Sequence, residues 1–218
     1  MPVLLYSFLF LACIFFQIGR EEKVFPVKHD NFTADNLGNV FFVRDAELLK
    51  YSSEGKMLGR YSNLKLGAIT SVDATNPLKI MVYYKDYQQI IFLDNQLSPH
   101  NNSVSLQDLG LEQASLVCSG INNSFWVYDR RNNELVRFDQ HSKKIASTGN
   151  LKQVLNEQIA PDLIKEQNNY LYLNCSGSGI YVFDIFGAFS IAQGSQAPRM
   201  SLIVSDGTWS RPEKALRV

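Results

Sequence analysis

The chain reads as an all-β protein, a β-propeller of about four recurring antiparallel blades, and three observations predict it. Four apolar runs resemble one another: Val40–Val43, Ile80–Tyr83, Phe125–Tyr128 and Leu171–Asn174. Each is followed, after a polar turn, by a second run: Leu48–Tyr51, Ile90–Leu93, Leu135–Phe138 and Ile180–Phe183. The second runs end at Tyr51, Leu93, Phe138 and Phe183, spaced 42, 45 and 45 positions apart. A period of 40–50 residues with several strands per unit is that of a propeller blade.

The residue types explain why these runs extend. They are rich in β-branched and aromatic side chains, which suit a pleated surface, and they lack proline. The first run of each unit is apolar at nearly every position, as expected of a sheet covered on both faces by neighbouring sheets. The connectors 44–47, 86–89, 130–133 and 176–179 are turn chemistry. Directly after the second runs stand Ser52, Asp94, Asp139 and Asp184. A short polar side chain there can accept from a backbone N–H two residues on and so start a turn.

An inner strand precedes three of the pairs, at Ile69–Val72, Ala114–Cys118 and Pro161–Ile164; the first unit offers only Phe32–Asp35. An outer strand is visible in unit one (Lys56–Tyr61) and unit three (Lys144–Thr148). Between units three and four, Asn150 and Gln153 form a capping-box pattern, and Leu151, Val154, Leu155 and Ile159 share one helical face, so a short helix is expected.

The ends differ from this pattern. Residues 1–19 carry no charged side chain and include a thirteen-residue run, Leu4–Phe16, closed by Arg20-Glu21-Glu22-Lys23. About 20 apolar residues are needed to span a bilayer, so this length suits a signal peptide, or an anchor if it is not cleaved. The expected division is a signal or anchor at 1–19, propeller repeats at 24–190, and an irregular or disordered tail at 191–218, where Gly, Ser, Gln and Pro accumulate. The expected location is extracytoplasmic: secreted, periplasmic or envelope-associated.

With the strands and turns in place, a resemblance emerges. Asp35-Asn36-Leu37-Gly38-Asn39-Val40-Phe41-Phe42-Val43, followed by Leu49-Lys50-Tyr51-Ser52-Ser53-Glu54-Gly55-Lys56-Met57-Leu58, resembles a repeat of the NHL-type, six-bladed propeller superfamily. The match is clear in units one and three and decays in two and four, where the Gly-Asn and Gly-Lys turns are missing. The resemblance implies a ring that usually closes with six blades, so four units are either a smaller closed ring or part of a longer one. For closure, Phe25–Val27 and Ser201–Val204 are the candidate completing strands.

Chemistry is sparse. Twenty-one basic and 21 acidic residues are well mixed, which argues against a nucleic-acid binder. His29, His100 and His141 have no metal-ligand spacing, and the chain contains no phosphate-binding loop or nucleophile elbow. No catalytic residue and no cofactor is predicted. Asp35 and Asp73 end innermost strands, where blades converge; they could help hold calcium, but capping a turn is the simpler role. Cys13 lies in the apolar head, and Cys118 and Cys175 could pair or be buried singly. Glycosylation sequons stand at Asn31, Asn101, Asn122 and Asn174. Phe125, Trp126, Tyr128, Tyr170 and Tyr172 read as core rather than as a stacking face. The expected function is a binding or scaffold module for a protein or glycan, touching a membrane only through an uncleaved head. The alternative is a calcium-dependent propeller hydrolase or lyase.

Overall fold

The computed structural model describes residues 27–100 and 103–194. The apolar head, most of the candidate strand Phe25–Val27, Asn101, the candidate strand Ser201–Val204 and the rest of the tail lie outside the described residues. Each apolar pair becomes the middle of a four-stranded antiparallel sheet whose strands follow one another in sequence order. Sheet one contains β1 (Asn31–Ala34), β2 (Val40–Arg44), β3 (Glu47–Tyr51) and β4 (Met57–Ser62). Sheet two contains β5 (Ser71–Asp73), β6 (Ile80–Tyr84), β7 (Gln89–Leu93) and β8 (Val104–Ser105). Sheet three contains β9 (Ala114–Ser119), β10 (Phe125–Asp129), β11 (Glu134–Phe138) and β12 (Lys144–Ser147). Sheet four contains β13 (Leu163–Gln167), β14 (Tyr170–Cys175), β15 (Gly179–Asp184) and β16 (Phe189–Gly194). Four such blades around inner strands β1, β5, β9 and β13 make a β-propeller.

The turns repeat as closely as the strands. The carboxylates of Asp94, Asp139 and Asp184 each accept from the backbone N–H two and four residues on, at 2.8–2.9 Å. Ser52 does the same through its hydroxyl, at 3.2 and 3.3 Å. In the second-to-third-strand turns, Asp45, Gln88 and Asn133 adopt φ near +50°. Their carbonyls accept from Ile69, Leu106 and Leu151 N–H at 2.7–2.8 Å, which ties each turn to the connector leading into the next sheet.

Alternate residues of the central strands enter different cores, because side chains on a strand alternate between faces. Phe41, Val43 and Leu48 pack with Ile80, Val82 and Leu93 between sheets one and two. Met81, Tyr83 and Phe92 pack with Phe125, Val127 and Val136 between sheets two and three. Trp126, Tyr128 and Leu135 pack with Leu171, Leu173 and Phe183 between sheets three and four. Gly187, at φ +89°, lets the last turn of sheet four touch sheet three; a Cβ there would lie 2.6 Å from the Ser147 carbonyl oxygen. Among the described residues no core joins sheet four back to sheet one.

Several expectations need correction. The run Leu171–Asn174 is covered on one face only: Leu171 and Leu173 are buried, while Tyr172 and Asn174 are half-buried and Tyr170 is exposed, because among the described residues no further sheet lies against that face. Tyr170 and Tyr172 are therefore not core. Outer strands β8 and β16 were not expected, being respectively two residues long and largely small or polar; β16 carries the sheet past residue 190 to Gly194. β5 starts at Ser71, since Ile69 bonds the preceding turn instead, and β13 starts beyond Pro161, which lacks a ladder donor. The helix α1 is only Leu151–Leu155; Asn150 Oδ1 accepts from Gln153 N–H as expected, but Asn156 at φ +56° ends it, Val154 stays exposed, and Ile159 reaches the core beyond the helix. No helix among the described residues is long and apolar enough to cross a membrane.

Cys118 and Cys175 are unbonded thiols buried in the core between sheets three and four. Burial pushes both thiols up, Cys118 well above its ordinary value and Cys175 to about 12. The thiolate is the reactive form. In a Cys13→Ser background, a thiol-titrating reagent should therefore find almost no reactive group in the native protein and two after denaturation. Rapid native labelling would show that this core opens.

Candidate functional site

The chemistry-bearing side chains gather where β5, β9 and β13 end, at one end of the inner strands. Asp73 closes β5 with one carboxylate oxygen accepting from Thr75 N–H and Oγ1, at 2.9 and 2.5 Å. Its other oxygen reaches the next sheet and accepts from Ser119 N–H at 2.8 Å. Lys165, from sheet four, donates to Thr75 Oγ1 at 2.7 Å and lies 3.8 Å from the same carboxylate. One aspartate thus joins three blades.

Glu166 is the second anchor. Its two oxygens accept from Ile121 N–H and the Trp126 indole N–H, both at 2.7 Å. The Arg137 guanidinium stands 3.6 Å away, and both side chains are almost wholly buried. Arg137 also donates to Ser124 Oγ, through Nε at 2.9 Å and Nη2 at 2.8 Å, and through Nη1 to the Ile185 carbonyl of sheet four at 2.9 Å. Gly120 is required by this crowding: a Cβ would lie 2.5 Å from Ser124 Oγ and 2.7 Å from Glu166 Oε2. Lys50 occupies the same repeat position as Arg137 and likewise reaches the following sheet, donating to the Asn95 carbonyl at 2.7 Å.

Beside this network lies a cavity of about 300 Å³ lined by Thr75, Asn76, Ser119–Asn123, Glu166 and Gln167. Its ionised lining group, Glu166, is engaged with other protein groups. What faces outward is neutral: Asn122 and Asn123 are exposed at φ +56° and +58°, and Ile121 is 39% exposed; the Gln167 Oε1 atom is buried and has no hydrogen-bond partner. A second cavity, of about 490 Å³, opens at the other end among Lys85, Tyr128, Arg130 and Pro161, and its cations sit on exposed turns.

Burial alone would push the Asp73 carboxyl up, but the Lys165 ammonium and the hydrogen bonds from Thr75 and Ser119 hold it below the ordinary carboxylate range. A group depressed on folding adds stability above its unfolded value, about 3.9 for Asp, and loses it as pH falls through the folded value. Stability should therefore decline on acidification below about pH 4, and less steeply in Asp73→Asn. Parallel acid-unfolding curves for both proteins would count against Asp73 as a contributor.

Asp35 does not share this site. Its oxygens accept from Leu37 N–H, Asn39 N–H and Asn39 Nδ2, so it caps the β1–β2 turn. Asp73 caps a turn too, with the inter-blade bonds in addition. Among the described residues, no group of three or more His, Cys, Asp or Glu side chains is placed to hold a metal ion. His29, His100 and His141 are exposed. Of the sequons, Asn31 and Asn122 are exposed, whereas Asn174 donates to Asp162 at 2.6 Å. Lys165, Glu166 and Arg137 were not anticipated. The available signal was a cation inside an apolar run, at the same position in Leu48-Leu49-Lys50-Tyr51 and Leu135-Val136-Arg137-Phe138.

No protein-family model and no curated protein sequence matches the chain. Solved structures do resemble it. A streptogramin B lyase aligns with TM-score 0.55 at 17% identity, over 73% of this chain and 52% of that one. A catalytically inactive virginiamycin B lyase from Staphylococcus aureus, solved with quinupristin, gives 0.56 at 10%, over 76% and 55%. The Pan2 WD40 domain of Neurospora crassa gives 0.53 at 10%, over 77% and 49%. The chain spans about half the length of these structures, and the likeness is one of fold.

Proposed function

We propose that the chain is an exported, NHL-type β-propeller that acts as a binding module for a protein partner, received at the mouth of the cavity beside Glu166. The observation that carries this reading is the division of labour at that mouth. Asp73 and Glu166 are engaged in joining blades, while the outward groups are amides and the part-exposed Ile121. Amide donors and acceptors beside an apolar side chain suit a polypeptide segment, whose backbone presents the same groups. The NHL-type assignment is supported by the Asp35–Asn39 turn, where the Asp35 carboxylate caps and Gly38 adopts φ +81°, and by Gly55 at φ +82° in the following hairpin. Propellers host many activities, so the fold itself adds no substrate.

The test is capture from the native cell envelope with tagged wild type and with Ile121→Asp/Asn123→Gly, glycine being chosen to keep the left-handed backbone. A protein retained by wild type and lost with the variant is expected; equal recovery by both would reject this mouth. Export rests on the apolar head. Deleting residues 1–19 should strand the protein in the cytoplasm, and the envelope form should begin near Arg20. An intact Met1 on that material would indicate an anchor.

A further inference from the structure

The cavity at the far end of the inner strands, about 490 Å³ in volume, is built differently from the one beside Glu166. Its size falls within the range of small-molecule sites, about 300–1,000 Å³. The β6–β7 turn brings Lys85 to it, and the end of β10 with its turn brings Tyr128, Arg130 and Asn133. The connector into β13 adds Ile159 and Pro161. Tyr128 and Ile159 are 6% and 3% exposed, and with Pro161 they form an apolar wall.

The polar groups around that wall are unevenly matched. The Tyr128 hydroxyl donates to Asn133 Oδ1 at 2.7 Å, and the Asn133 carbonyl accepts from Leu151 N–H at 2.7 Å. These bonds set the orientation of the Asn133 amide and leave its Nδ2 as a donor. The carboxylates nearby are engaged elsewhere: Glu112 pairs with Arg131, Glu157 accepts from the Tyr181 hydroxyl, and Asp129 accepts from Arg131 N–H and Asn132 Nδ2. Asp162 accepts from Asn174 and Ser176. Asp86 shares a turn with Lys85 but lies outside the lining and forms no ion pair with it. Among the described residues, the Lys85 ammonium and the Arg130 guanidinium have neither an ion pair nor a hydrogen bond. The cavity therefore carries two positive charges and a fixed amide donor beside a buried apolar wall.

We propose that this cavity binds a small organic anion, a carboxylate or a phosphate monoester carried on an apolar body. Either head group supplies the acceptors and the negative charge that the lining lacks, and the paired N–H groups of a guanidinium match its oxygens. The body packs against Tyr128, Ile159 and Pro161. Arg130 stands close enough to this wall to act on it: burial pushes the Tyr128 phenol up, and the Arg130 charge opposes that rise. Both cations are solvated in the free protein, so pairing gains little and a Kd on the order of 0.1–1 mM is expected. The site does not rest on the function proposed at the cavity beside Glu166.

Calorimetric titration of the full chain with phenyl phosphate, benzoate, inorganic phosphate and neutral benzyl alcohol tests the proposal. At least one aryl anion should bind roughly tenfold or more tighter than benzyl alcohol and than inorganic phosphate, and more weakly as salt is raised. The tighter of phenyl phosphate and benzoate identifies the head group. Arg130→Gln and Lys85→Gln should each weaken that anion about fivefold or more without moving the thermal transition, because both side chains are exposed. Arg131→Gln removes the same charge from the adjacent position, which is paired with Glu112, and should leave the affinity within about twofold. Aryl anions binding no tighter than benzyl alcohol or inorganic phosphate would overturn the proposal. So would an affinity indifferent to Arg130→Gln and Lys85→Gln, or an equal loss in Arg131→Gln.

Discussion

Replacing Trp126 by alanine should cost about 3–5 kcal/mol of stability, the range for truncating a buried large aromatic. Its side chain is wholly buried in the core between sheets three and four. The residue also performs a second task, since its indole N–H supplies one of the donors that keep the Glu166 carboxylate satisfied. Trp126→Phe separates the two contributions. It retains most of the ring packing and loses the hydrogen bond to a charged acceptor, for an expected loss of about 1.5–3 kcal/mol. Val127, on the opposite side of the same strand, is equally buried but enters the core with sheet two. Val127→Ala should therefore weaken the other interface. Denaturant midpoints read by fluorescence and by circular dichroism would measure each loss. Wild-type stability in Trp126→Ala would refute the sandwiched-blade arrangement.

That arrangement was legible in the sequence because it rests on local patterns repeated at fixed spacing. Uninterrupted apolar runs predicted sheets covered on both faces, and this holds in the first three sheets. Ser52, Asp94, Asp139 and Asp184 predicted four turns of one kind, and each side chain makes the bonds expected of it. The network around Asp73 and Glu166 was harder to read. Asp73 was singled out for its place at the end of an inner strand, yet its bonds to Ser119 and Lys165 span 46 and 92 positions in sequence. Glu166 is bonded to Ile121 and Trp126 at similar separations. No short window contains both partners, so the blade geometry had to be known before the network could be seen. β16 was hidden for a different reason: Ser190, Ala192, Gln193 and Gly194 carry little strand propensity, and pairing with β15 overrides that preference.

The same network makes Arg137 the position where loss of a charge should matter most. Arg137 and Glu166 are a buried pair, and removing one member of such a pair typically costs about 3–5 kcal/mol because the remaining charge is left uncompensated. Arg137→Ala should fall in that range, adding loss of the bond to the Ile185 carbonyl that ties sheet three to sheet four. Lys50→Ala is the natural comparison. It removes the equivalent bridge between sheets one and two, but among the described residues no carboxylate forms an ion pair with Lys50 as Glu166 does with Arg137, so about 1–2 kcal/mol is expected. A double-mutant cycle then identifies the cause. If the uncompensated Glu166 charge dominates, Arg137→Met combined with Glu166→Gln should be less damaging than the two single losses added together, since neutral groups replace both charges. In that double variant the introduced amide keeps one acceptor oxygen, enough for one of the two N–H groups of Trp126 and Ile121 that the carboxylate serves. Simple additivity would instead assign the cost of Arg137→Ala to the lost bridge and packing, and the buried ion pair would not be what holds sheets three and four together.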